Sequence, residues 1–372
     1  MRRIVQLNKY YAPHTGGVET VVQNIAEGLK DSTAMQVLVC APDAKTREDT
    51  VNGVAVRRSG RLCEVGPMPV SLRYLQDVRR AAKTADVLHL HMPFPWGDLA
   101  LRLSGYKGKV ALWWHSDVVR QQRLLKLYMP LMRWTLERAD VIAVATQGHI
   151  DGSAFLKPYE SKCRIIPFGV DEAYYAAGAP VAAHPPVNEK TDFLFIGRMV
   201  YYKGCDVLLD AFARMREKNC TLTMVGDGVL LEGLRAQALQ LGVADRVTFT
   251  GAVSKEELMR RIAACDVFVL PSVARSEAFG LVQIETMAYG KPVINTDLPS
   301  GVPYVSLDGV TGLTVPPEDA SALAAAMDKL AGDAQLRLSY GKAARERVER
   351  EYRMETMVAR VGALYAALCG EK

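Results

Sequence analysis

Two glutamates eight positions apart stand out among the residues able to do chemistry, in the segment Pro271-Ser272-Val273-Ala274-Arg275-Ser276-Glu277-Ala278-Phe279-Gly280-Leu281-Val282-Gln283-Ile284-Glu285. Glu277 falls in a loop after an apolar run, whereas Glu285 lies about two turns into the helix that Gly280 opens. That places Glu277 near a helix N-terminus at the mouth of a crevice and lets Glu285 grip a pair of hydroxyls; the plainer reading is two surface carboxylates. Upstream, Gly197-Arg198-Met199-Val200-Tyr201-Tyr202-Lys203-Gly204 puts two cations at a strand-to-helix turn. Two cations and a helix N-terminus suit a diphosphate, although cations also belong to any solvated surface. Gly16-Gly17 opens a helix after the first strand, where adjacent glycines let backbone N–H groups approach an anion or make a plain tight turn. The pair is not the Gly-x-Gly-x-x-Gly dinucleotide fingerprint, which argues against a nicotinamide enzyme. Gly226-Asp227-Gly228 reads as a close-approach turn or a loop, and His115 ends the run Trp113-Trp114-His115.

These residues must be held by elements, and the chain alternates short apolar runs with amphipathic stretches. The runs Ile4–Leu7, Val37–Cys40, Val87–Leu90, Val110–Trp113 and Val141–Val144 are continuous rather than alternating, as strands buried on both faces of a parallel sheet require. A first α/β domain reaches to about residue 170. Ala176–Pro186, rich in Ala, Gly and Pro, reads as a linker. The rhythm restarts with Phe193–Ile196, Thr221–Val225, Val247–Thr250, Val267–Leu270 and Val293–Asn295, and helical patterns at 318–331, 334–351 and 354–369 close the chain. In such sheets ligands sit beyond the carboxyl ends of the strands, where the residues above fall. His89 and His91 on one strand are expected on opposite faces, and so not to share a metal. No Asp-x-Asp motif appears where a metal-dependent transferase would use one.

Composition excludes several classes. The 372 residues are 49% hydrophobic and 23% charged, so disorder and fibres are ruled out, and the length suggests two domains. Seven scattered cysteines without a Cys-x-x-Cys pair fit reduced thiols in a cytoplasm. The N-terminal run is too short for a signal peptide, and no apolar stretch approaches a membrane span. Residues 1–140 hold 21 Lys and Arg against 13 Asp and Glu, while the remainder holds 25 against 28, so the first half either faces something anionic or is a well-solvated surface with no special partner. The stretch Arg120–Trp134 is basic and amphipathic, either an interfacial helix on anionic lipid or a core-packed helix with a solvated face. No zinc, helix-turn-helix or aromatic-basic signature supports a nucleic-acid partner.

Together Gly16-Gly17, Gly197-Arg198 with Lys203-Gly204, Gly226-Asp227-Gly228, Phe249-Thr250-Gly251 and Glu277-x7-Glu285 with Phe279-Gly280 resemble the retaining family 4 glycosyltransferases of GT-B fold. The resemblance implies two facing Rossmann-like, doubly wound domains with a central cleft. Residues 1–172 would bind acceptor and 187–351 the nucleotide-sugar donor, with a C-terminal helix at 352–372 crossing back to the first domain. By matching position, Arg198 and Lys203 would neutralise the donor diphosphate, Glu285 would bind the ribose hydroxyls and Glu277 the hydroxyls of the transferred sugar. The Gly280–Val282 backbone, which includes Leu281, would meet the phosphates, and Gly16, Gly17 and Phe279 would also belong to the donor site. The Gly251-Ala252-Val253 segment would lie along the base, Gly226 would belong to the donor site, and His115 would lie near the sugar and the reacting centre.

The resemblance further implies metal-independent transfer with retention, by a front-face route in which the leaving phosphate helps deprotonate the acceptor. Its acceptor would be a saccharide or a lipid-linked saccharide in bacterial polysaccharide assembly, reached in the cytoplasm or peripherally at the inner face of the membrane. Many relatives carry Gly-Gly followed by Glu after the 293–295 strand; here the segment reads Asp297-Leu298-Pro299-Ser300-Gly301-Val302-Pro303-Tyr304, with Tyr304 near the acidic position. That departure is similar to mannosyl- and rhamnosyltransferases, so GDP-mannose or a GDP-deoxymannose is the expected donor, with UDP-hexoses next. Two competing readings are a nucleotide-sugar 2-epimerase, which converts its donor without an acceptor, and a non-catalytic binding protein, which would have lost Glu277, Arg198 or Lys203.

Overall fold

The computed structural model describes residues 1–372 except 15, 67, 119–121, 184, 186–189 and 371–372, and the side chains of 122 and 123 are also outside it. Arg120 and the Arg123 side chain in the basic stretch, and Pro186 in the expected linker, therefore lie outside the described residues. Two compact units form: Met1–Ala145 with Ser153–Phe168 and Glu355–Lys372, and Thr146–Gly152 with Gly169–Met354.

The first unit holds β1 (Arg3–Leu7), β2 (Ala34–Cys40), β3 (Arg47–Val51), β4 (Val54–Ser59), β5 (Cys63–Val65), β6 (Met68–Val70), β7 (Val87–Met92), β8 (Lys109–Trp114), β9 (Val141–Val144) and β10 (Cys163–Ile165). Its main sheet runs β10-β9-β8-β7-β1-β2-β4-β3, parallel but for the antiparallel edge strand β3; β5 and β6 pair separately. Charge guards that edge: Arg57 meets Glu48 at 2.6 Å and Arg58 meets Asp49 at 2.5 Å. Strand order reverses between β1 and β7, so the carboxyl ends of these strands frame the crevice where ligands of such sheets bind.

The second unit holds β11 (Thr191–Ile196), β12 (Cys220–Val225), β13 (Val247–Gly251), β14 (Val267–Val269), β15 (Val293–Thr296) and β16 (Gly312–Val315). They form one parallel sheet in the order β13-β12-β11-β14-β15-β16, the 3-2-1-4-5-6 order of a dinucleotide-type domain. Phe193, Phe195, Phe212, Leu222 and Met224 are buried in its core. Its reversal lies between β11 and β14, which aims the loop after Ile196 and the loop after Val269 at one place.

The expected linker is corrected. Glu172–Ala183 is a helix with Pro180 inside it, and it belongs to the second unit. The Ala and Gly that suggest a spacer instead permit close packing: a Cβ on Gly178 would lie 2.3 Å from the Ala288 carbonyl oxygen. Residues 146–152 also join the second unit, because the helix Gln147–Asp151 seats its backbone on the loop before Val302; a Cβ on Gly148 would lie 2.2 Å from the Ser300 oxygen.

Candidate active site

Lys203 and Glu277 form an ion pair, with Nζ 2.5 Å from Oε2 and side chains only 11% and 10% exposed. The sequence folds them together through a glycine. Gly204 has φ of +64°, and a Cβ there would lie 2.1 Å from the Pro271 oxygen, so only glycine lets the Lys203 turn press against the loop after β14. Val273 N donates to the Tyr202 oxygen at 2.8 Å and fixes the same contact. The Ser272 hydroxyl donates to Glu277 Oε2 at 3.1 Å. Both partners thus fall on Oε2, and among the described residues Oε1 has no hydrogen-bond partner. The lysine ammonium also reaches back beside β11: a Cβ on Gly197 would stand 3.4 Å from Nζ.

Arg198 follows Gly197, is exposed, and donates from Nη2 to the Tyr202 hydroxyl at 3.4 Å. It lines a cavity of about 800 Å³ with Gly226, Asp227, Val229, Val253 and Leu258. Gly226, with φ of +131°, is required there, since a Cβ would sit 2.0 Å from the Gly197 oxygen. The structure therefore gathers Arg198, Gly226 and Val253 around one space beside the Lys203–Glu277 pair.

Gly280, with φ of +72°, caps the helix Leu281–Met287. Leu281, Val282 and Glu285 are half-buried on this helix, while Gln283, Ile284 and Thr286 are buried in the core. Burial, helped by the Asp171 carboxylate and opposed by Lys255, pushes the Glu285 carboxyl up to about 7. Phe279 is a core residue, 3% exposed and edge-on to Tyr352 at 6.1 Å. Tyr304 is 38% exposed and donates to Asp151 at 3.2 Å.

In the first unit, Gly16 is the extended residue before the helix Gly17–Leu29, so the glycine pair does open a helix after β1. His115 follows β8 and is 7% exposed, with its backbone N–H donating to the Met92 carbonyl oxygen at 3.0 Å. The expectation of opposite faces for His89 and His91 is wrong, because side chains two positions apart on a strand return to the same face. Their rings stack with centroids 4.6 Å apart, and His91 stacks in turn on His115 at 5.2 Å. His91 accompanies His115 in this stack, and sequence spacing missed it. The signal lay in the register of β7 on β8, which pairs His91 with Trp113. Among the described residues no group of three His, Cys, Asp or Glu is placed to hold a metal ion.

Comparison with known proteins bears on this site. Residues 15–174 match the family model Glycosyltransferase Family 4, and residues 181–347 match Glycosyl transferases group 1. Over 374 residues the chain is 31% identical to O-antigen chain mannosyltransferase C of Escherichia coli, covering 100% of both chains. It is 34% identical to D-rhamnosyltransferase WbpZ of Pseudomonas aeruginosa, covering 87% of this chain and 85% of that one. Its fold matches the crystal structure of HepE from Anabaena in complex with UDP, with a TM-score of 0.79, 20% identity, and coverage of 98% of this chain and 100% of that one. Two Rossmann-like domains of GT-B type are thus established, and the chain belongs to the family 4 glycosyltransferases.

Proposed function

We propose that this glycosyltransferase moves a mannose or rhamnose-type sugar from a GDP-sugar to a saccharide or lipid-linked acceptor in bacterial polysaccharide assembly, with retention and without a metal. The observation that carries it is the Lys203–Glu277 pair at the reversal point of the second sheet, beside the Arg198 cavity. Lys203 and Arg198 neutralise the diphosphate of the donor and of the departing nucleotide, the charge a metal would otherwise screen. Glu277 Oε1 takes hydroxyls of the transferred sugar, Glu285 takes the ribose hydroxyls, and the Gly280–Val282 backbone meets the phosphates. The first unit contributes the Gly16-Gly17 helix start and His115. The leaving phosphate draws the acceptor proton on the face it departs from, which gives retention. Curated relatives that are transferases favour this reading over an epimerase or a binding protein. The protein works in the cytoplasm, peripherally at the inner membrane face; among the described residues no helix is long and apolar enough to cross a membrane.

Calorimetric titration with GDP, UDP and ADP, with and without EDTA, followed by turnover of the matching sugar nucleotides, tests the proposal. GDP is expected to bind tightest, with EDTA changing neither binding nor turnover. A UDP preference would overturn the donor, and loss of turnover in EDTA would overturn metal independence.

A further inference from the structure

The last two residues of β15, Asn295 and Thr296, are 1% and 2% exposed, and both carry polar side chains into the interior of the second unit. Successive strand residues address opposite faces, so the two reach different neighbours. Asn295 Nδ2 shares its protons among Gln283 Oε1 at 3.0 Å, the Val302 oxygen at 3.1 Å and the Ser306 oxygen at 3.3 Å, and its Oδ1 accepts from the Thr314 hydroxyl at 2.7 Å. Gln283 is fully buried and donates from Nε2 to the Phe279 oxygen at 2.8 Å and to the Val302 oxygen at 3.4 Å. Backbone carbonyls only accept, so they fix which end of each amide faces them. On the other face, the Thr296 hydroxyl donates to the Ser272 oxygen at 2.6 Å, and the Ser272 hydroxyl donates to Glu277 Oε2 at 3.1 Å.

Both sets of bonds end on the loop between β14 and the helix Leu281–Met287. Thr296 steadies the start of that loop, beneath Glu277. Asn295 steadies its end through Gln283, at the turn of Phe279 and Gly280. The turn sits on the Gln283 amide: a Cβ on Gly280 would lie 3.1 Å from Nε2. Gly301 N donates to the Ala278 oxygen at 2.7 Å and ties the same turn to the segment after β15. Buried polar groups cost free energy unless all are partnered, and apolar side chains would fill this core without that risk. Here every side-chain polar atom of Asn295 and Gln283 is partnered.

We propose that Asn295 and Thr296 are positioning residues for the donor loop, acting through Gln283 on the Gly280 turn and through Ser272 on Glu277. This rests on the reading that the turn meets the phosphates of the donor and Glu277 its sugar. It adds a division of labour: the Asn295–Gln283 arm sets affinity for the nucleoside diphosphate, and the Thr296–Ser272 arm sets recognition of the sugar attached to it.

Calorimetric affinities of the full chain for GDP and for GDP-mannose, with amide hydrogen exchange across residues 272–287, separate the two arms. Gln283→Met keeps a side chain of similar length but breaks the bonds to Phe279 and Asn295, so exchange over residues 278–284 should rise at least about tenfold. GDP and GDP-mannose should then both bind about tenfold more weakly, whereas Ser272→Ala should leave GDP within about twofold and weaken GDP-mannose about tenfold. A role confined to folding would weaken both ligands alike in both variants. Should Gln283→Met not fold, Thr314→Val, which keeps the shape on the edge strand β16 but removes the donor to Asn295 Oδ1, gives the same readouts. Unchanged exchange over 278–284, or equal losses of GDP and GDP-mannose in Ser272→Ala, overturns the proposal. If exchange rises while GDP binds as before, or if the wild type binds no GDP, it is the placement of the phosphates at this turn that fails, and the division of labour falls with it.

Discussion

Glu277 and Lys203 neutralise one another, so in the proposed donor site a diphosphate would compete with a carboxylate for the ammonium. Removing the lysine then has two effects of separate origin. Lys203→Ala deprives a desolvated phosphate of its countercharge, and turnover should fall by about 10²-fold or more. It also leaves Glu277 nearly buried beside Ser272 alone, which should lower thermal stability by a few kcal/mol, on the order of 3. In the double variant Lys203→Ala, Glu277→Gln the stability loss should be smaller than in Lys203→Ala, because no uncompensated charge remains; thermal melts of the four proteins of the cycle check it, and additive losses would sink the pair. If, as proposed, Oε1 meets the sugar and not the nucleotide, Glu277→Gln alone should lower kcat more than it lowers nucleotide affinity; equal losses would make Glu277 a plain binding group. The spacing of Glu277 and Glu285 was legible in the sequence, and so was the strand-end position of Arg198. The ion pair was not, because it depends on Gly204 letting its turn touch Pro271, a contact between loops 67 residues apart that no local pattern encodes.

At the scale of elements, the helices Pro95–Ser104 and Gln122–Arg138 are joined by a buried acid. The Tyr128 hydroxyl donates to Asp98, which is fully buried, and burial pushes the Asp98 carboxyl up to about 7 against the opposing pull of hydrogen bonds from Tyr128 and Thr135. From about pH 4 to 7 the folded protein keeps this proton while the unfolded chain has lost it. The folded state therefore binds more protons, and stability falls as pH rises through that window and levels off above it. Asp98→Asn removes the titration. Urea melts at pH 5 and pH 8 should show the variant gaining on wild type by a few kcal/mol, on the order of 3, between the two; a gap that does not change with pH would mean that Asp98 ionises normally. Elements were readable where a local pattern marks them: Val141–Val144 is a continuous apolar run, and the helix Ala334–Glu351 falls where the helical pattern predicts it. They were unreadable where tertiary contact overrides composition. The strand Arg47–Val51 is charged and largely exposed, held by ion pairs to its neighbour, and the Glu172–Ala183 helix runs through Pro180 and packs at Gly178 against the Ala288 carbonyl.

Across the whole molecule, the positive charge concentrated in residues 1–140 acquires a location in the first unit. The sequence left the Arg120–Trp134 stretch open between an interfacial and a core-packed helix; in the structure the helix Gln122–Arg138 buries some of its apolar residues and leaves others uncovered. Leu125, Met132 and Leu136 are buried, whereas Leu124 is 61% and Leu127 81% exposed with Lys126 exposed between them. Two uncovered leucines beside a lysine suit a surface that is apolar just below an anionic layer, where each basic group near it adds about 1 kcal/mol of attraction and each buried leucine about 1.5–3 kcal/mol. The full chain should therefore cosediment with vesicles containing anionic phospholipid at low salt. About 0.5 M salt should release most of it, because the attraction of exposed charges is screened within a few ångströms. Leu124→Ser, Leu127→Ser should weaken binding at least tenfold without changing the GDP affinity measured in solution, since neither leucine lies in the second unit that holds Lys203 and Glu277. Equal binding to neutral vesicles would remove the electrostatic component, and no binding to anionic ones would make these leucines a surface for something other than lipid.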